Sequence, residues 1–260
     1  MQNPGDHTRQ HGTDSRRARK GYRGSDSKDN HNIHRGAEMR QNASNNGQDI
    51  LNWFKTDELE FEFTEKGYPI IEPITKEETE GIAKTIPFHL AAKNDDWDRW
   101  VHFHIQDFKF ERIWNDPDKY IPMLQKYRGI ISPDFSMYTD MPRPLQEYNH
   151  YRNNWFARYA QINNIKVIPS LSFSNEESHE YCFEGIPENS VLWINTIGPL
   201  RDPEARPLFW SGLDAAIERL SPTFLYVRTG STAYREMLED RLKGQVEHEF
   251  VKNDNWLYGA

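Results

Sequence analysis

Short apolar runs that each end in polar side chains recur along this chain, and a helical pattern follows nearly every one. The runs occupy residues 100–105, 129–131, 165–171, 190–196 and 223–227. A strand buried on both faces reads as a continuous apolar run, as in parallel sheets covered by helices. The runs start about 25–35 residues apart, the length of one βα unit. The units share no sequence similarity, so the repetition is structural and not that of a solenoid. The expected fold is α/β with a mainly parallel sheet of βα repeats. It is either an irregular or incomplete (β/α) barrel or an open doubly wound sheet.

Between the runs, helices are expected over 108–114, 122–127, 144–163, 203–220 and 234–242. Pro144 suits a helix start, and Asn163 and Asn164 close that helix. Phe209, Leu213, Ile217 and Leu220 lie at helical spacing. Residues 68–71 read as a short extended piece, a short helix begins at Asn175, and 246–251 reads as a final strand.

The first fifty residues stand apart, with almost no large apolar side chains. They carry 9 Lys or Arg against 6 Asp or Glu, whereas the remaining 210 residues carry 23 against 34. A segment of that composition buries too little surface to offset the entropy of ordering, so residues 1–50 are expected as a disordered basic arm. Residues 51–260 are expected as one α/β domain. Its acidity argues against a broad electrostatic grip on duplex DNA. A single cysteine, Cys182, excludes an intramolecular disulfide and reads as core. No apolar stretch approaches the roughly 18 residues of a membrane span, and a cytoplasmic protein is expected.

Right-handed crossovers place all strand C-terminal ends on one edge of the sheet. There the sequence puts Gln106 and Asp107, Asp134 and Ser136, Ser170 and Ser172, Asn195 and Thr196, and Arg228 and Thr229. Ligands bind at that edge in both barrels and open sheets. Asp107 and Asp134 are the catalytic candidates, able to share a divalent metal such as Mg²⁺ or to divide into acid and base. The competing reading makes Asp107 a helix cap and Asp134 the organiser of its turn. Asn149 and Arg152 share a helix face that suits an anion. Thr196 and Arg228 stand before the glycine turns at Gly198 and Gly230, where backbone amides suit a phosphate. His102 and His104 alternate on one strand face and are the metal-ligand candidates. No later strand ends in histidine, so packing beside Trp100 and Trp114 competes with that role.

The motifs His102–Trp114, Ser132–Pro142, Gln146 with Asn149 and Arg152, Val167–Pro169, Cys182 with Gly185, and Thr196 with Gly198 together resemble the family catalogued as domain of unknown function 4417. The resemblance covers about residues 98–230. It implies a bacteriophage, plasmid or mobile-element context and favours Asp107, Asp134, Asn149, Arg152 and Thr196 as site residues. It supplies no reaction. The family has a bulky apolar residue where this chain has His104, which weakens the metal reading, and a Trp where it has Phe173. The expected function is an accessory protein of a phage or mobile element, with three readings open. One is an enzyme acting on a nucleotide or nucleic-acid phosphate at the sheet edge. Another is a non-catalytic protein that sequesters a host factor or nucleotide. The third is a protein recruited to nucleic acid by its basic arm.

Overall fold

Each strand of the sheet is only two to six residues long, and its side chains alternate between two cores. The computed structural model describes residues 52–59 and 61–252; the expected basic arm lies outside them. In chain order the elements are α1 (Trp53–Glu58), β1 (Thr85–Pro87), α2 (Phe88–Ala91), β2 (Trp100–His102), α3 (Arg112–Asn115), α4 (Pro117–Leu124), β3 (Gly129–Ile131) and α5 (Arg143–Ile162). They continue with β4 (Val167–Ile168), β5 (Ser170–Leu171), β6 (Val191–Asn195), α6 (Ala205–Leu220), β7 (Phe224–Thr229), α7 (Thr232–Leu242) and β8 (His248–Lys252).

All pairings between these strands are parallel, in the orders β1-β2-β3-β4 and β5-β6-β7-β8. Pro169 alone separates β4 from β5. Lacking an N–H it breaks the ladder, yet its carbonyl accepts from Trp193 N at 2.8 Å, and Ser170 N turns to the Ser132 hydroxyl at 2.8 Å. The strand order never reverses, so the switch point of a doubly wound sheet is missing. Among the described residues no ladder joins β8 to β1, and the barrel does not close.

Period-two alternation sorts the side chains. Val101, Ile130, Val167, Leu192, Ile194, Leu225 and Val227 pack in one core with Trp155, Phe156, Leu213 and Leu238 of the helices. Trp100, Ile131, Ile168, Val191, Trp193, Phe224, Tyr226 and Val251 form the other, on the inner face. Ile74 and Ile82, from the chain before β1, complete it. That segment is tied across the strand starts: Val191 N donates to Ile74 O at 3.0 Å, Trp100 Nε1 to Glu80 O at 3.1 Å, and the Thr79 and Tyr226 hydroxyls meet at 2.7 Å. The inner face is therefore apolar and plugged at one end.

Several expectations are corrected in detail. The run at 100–105 is a strand only over Trp100–His102, because the chain turns at Phe103–Ile105. The helix expected over 108–114 is a 3₁₀ turn (Asp107–Lys109) followed by α3. The one expected at 122–127 is α4, which begins at Pro117, a favoured first helical residue. Cys182 is buried core as expected, and it sits in a turn.

Gly129 shows how tightly the inner core is set. A Cβ there would lie 2.4 Å from the Trp100 ring and 2.7 Å from Lys166 O. Gly129→Ala is expected to destabilise the fold by about 2–3 kcal/mol, the upper range for overpacking, read as a lower urea midpoint with an unchanged slope.

Candidate functional site

Followed toward the strand ends, the inner face changes from apolar to polar. Trp100 gives way to His102 and His104, Ile168 to Ser170, Trp193 to Asn195, and Tyr226 to Arg228. The pairing register aligns Ser170 with Trp193 and Asn195 with Arg228. His102 is 1% exposed and Arg228 1%, and His104 and Ser170 are buried with them, whereas Asn195 is half-buried.

The His104 and Trp193 rings stack at 5.8 Å. His104 Nε2 lies 3.0 Å from the Ser170 hydroxyl and 3.9 Å from Asp134 Oδ2. The His102 and His104 rings are 5.7 Å apart, and neither nitrogen of His102 meets a protein hydrogen-bond partner. Burial, reinforced by the Arg228 charge, holds both imidazoles well below their usual pKa, so they are neutral at pH 7.

Asp134 follows β3 and faces an open cleft of about 790 Å³. Burial pushes its carboxyl up to about 6; the Ser172 hydroxyl and Arg228 oppose the rise, and Asp107 adds to it. The loop that carries Asp134 is pinned from two sides. Asp107 accepts from Ser136 N at 3.1 Å and from the Ser136 hydroxyl at 2.9 Å. From α5, Asn153 Oδ1 accepts from Phe135 N at 2.8 Å, and Asn149 Nδ2 donates to Ser136 O at 2.6 Å. Asp107 thus orients the loop that holds Asp134, instead of capping the turn in which it sits.

Of the expected site residues His104 lines this cleft with Asp134, whereas Asn149, Arg152, Thr196 and Arg228 lie around it without lining it. Arg152 pairs with Glu111 at 2.6 Å, donates to Asn149, and lies 3.7 Å over the Phe135 ring. Arg152 and Asn149 do share a face, and it is turned to the loop. Thr196 donates from both its amide and its hydroxyl to Arg228 O, at 3.0 Å each, locking the end of β6 to β7. Arg228 lies beneath the cleft, with Nη1 3.4 Å from Asn195 Oδ1. Among the described residues no three His, Cys, Asp or Glu side chains are grouped to hold a metal ion.

The cleft wall brings in residues that sequence reasoning did not single out as a site. Phe173 and Phe209 meet at 6.0 Å, and the Phe173 ring occupies the space a Cβ on Gly212 would take. Tyr138 and Asp140 come from the loop after β3, and Asp202 from the loop after β6. Loops carry no period, so only proximity to a strand end signalled them. The lining contains Asp134, Asp140 and Asp202 and neither Lys nor Arg.

The chain is similar to the Gene 1 protein of Mycobacterium phage D29, 33% identical over 125 residues, covering 48% of this chain and 46% of the relative. It is also similar to the Gene 1 protein of Mycobacterium phage L5, 33% identical over 145 residues, covering 55% of this chain and 62% of the relative. The chain therefore spans about half to three fifths of the length of these relatives. No solved structure matches. The model of the domain of unknown function (DUF4417) matches residues 64–243, from before β1 through the polar strand ends and the cleft to the last helix, and the chain belongs to that family.

Proposed function

We propose that this is a phage-type accessory enzyme that performs acid–base chemistry on a nucleotide or nucleic-acid substrate in the cleft at the strand C-terminal ends. The observation that carries the reading is Asp134: a carboxyl facing the cleft, on a loop pinned by Asp107, Asn149 and Asn153, and raised to about 6. A general base works best with a pKa near the working pH, because it must be both ionised and basic. At neutral pH Asp134 is mostly ionised and ready to take a proton. The similar Gene 1 proteins come from phages, which supports the phage-type setting of the reading. With no Lys or Arg in the lining, a phosphate would stay at the mouth or enter with a divalent cation. A sequestering protein would use the same cleft and would not depend on the ionisation of Asp134.

Asp134→Asn is expected to lower turnover of nucleotides or short oligonucleotides, followed by mass spectrometry, by at least about 100-fold, the usual scale of one acid–base group. Wild-type turnover should rise with pH through about 6. Unchanged turnover in the variant would remove the reading.

Stability should move the other way. The folded state holds the Asp134 proton more tightly than the unfolded chain does, so the stability it lends is complete below the ordinary value of 3.8 and is lost as pH rises through about 6. Asp134→Asn keeps the shape without the charge. Urea unfolding should show it more stable than wild type by about 2–3 kcal/mol at pH 7.5. The gain should disappear below about pH 4.

A further inference from the structure

The cleft's own chemistry narrows the substrate. We propose that it receives an amino-bearing nucleobase, held by carboxylate acceptors at its rim and by the Phe173 ring on its wall, while the phosphate is left outside. This rests on the nucleotide reading above and specifies which end of the nucleotide enters.

The charged side chains of the lining are Asp134, Asp140 and Asp202. Ionised carboxylates only accept hydrogen bonds, so their complement is an edge rich in donors, such as a ring amino group beside an imino N–H. They repel a bare phosphate, and Arg228, which meets the lining residue Asn195, is itself only 1% exposed. Asp202 spends Oδ1 on Glu204 N at 2.8 Å. The half-buried Phe173 ring is seated against Gly212 of α6, which gives a fixed flat wall for a heterocycle. Two further lining residues point to a polar occupant. Ser174 is 6% exposed and His104 7%, and neither Ser174 Oγ nor His104 Nδ1 meets a protein hydrogen-bond partner. A cleft of about 790 Å³ has room for a base with its sugar.

The test is calorimetric binding of nucleosides matched in pairs that differ by the amino group: guanosine against inosine, and adenosine against purine riboside. The protein is the full chain, measured as wild type and as Asp134→Asn. Inorganic pyrophosphate serves as the competing anion. A site built to bond an amino group rejects the analogue lacking it, so the amino member of at least one pair should bind about tenfold tighter or more. Pyrophosphate should not displace it. Asp140→Asn or Asp202→Asn, both exposed positions, should reduce that preference, and Phe173→Ala should weaken both members of a pair alike. Equal binding within both pairs, displacement by pyrophosphate, no nucleoside binding, or a preference untouched by both Asp variants overturns the proposal. Preference without any turnover keeps it and removes the catalytic reading; turnover without preference does the reverse.

Discussion

The inner face of this sheet turns polar within the length of one strand, and that change sets the conditions for everything at its edge. An apolar face would have let the strands end in solvent with ordinary polar side chains. Here His102, His104, Ser170 and Arg228 are carried into the interior beside Trp100, Trp193 and Tyr226, and Asn195 is left half-buried at the cleft. Buried ionisable groups resist charging unless a partner compensates. The histidines respond by staying neutral, and Asp134, at the boundary with the cleft, responds by holding its proton to an unusually high pH. The chemical interest of the site follows from where the apolar layer stops.

A raised carboxyl is useful only if it is held still, and that task falls to residues that never face the cleft. Asp107, Asn149 and Asn153 satisfy backbone groups of Phe135 and Ser136, and Arg152 backs Asn149 and Phe135. This accounts for part of the polar burial on α5: Asn149, Arg152 and Asn153 brace the loop, while His150 and Asn154 bond to Glu184 O instead. Positioning by locked neighbours is the general requirement for precise sites.

The sequence made the βα repetition and the polar strand ends legible, because both are periodic. Other features left no period to read. β1 is three residues ending in Pro87, too short to stand out, and Pro169 splits one expected strand into β4 and β5. Among the site candidates, Asp134 was visible as a polar residue after an apolar run, and it faces the cleft. Arg152 was visible on a helix face shared with Asn149, but spacing gives a shared face without saying what it meets. Arg228 was visible at a strand end, yet whether such a side chain points inward or to the mouth depends on sheet curvature. Phe173, Asp140 and Asp202 sit in loops and needed the fold to bring them together. The match to DUF4417 spans the braced loop and the cleft alike, so the construction belongs to the part of the chain that defines the family.

The central claim is that the buried edge of the sheet holds the Asp134 carboxyl far above an ordinary aspartate. Carbon-13 NMR of protein labelled at aspartate carboxyl carbons, titrated from acid to neutral pH with Asp134→Asn to assign the signal, reads this directly. The account predicts a resonance, absent from the variant, that titrates near 6. If the assigned resonance titrates near the ordinary value of about 3.9, the edge does not shape its chemistry and the account is contradicted.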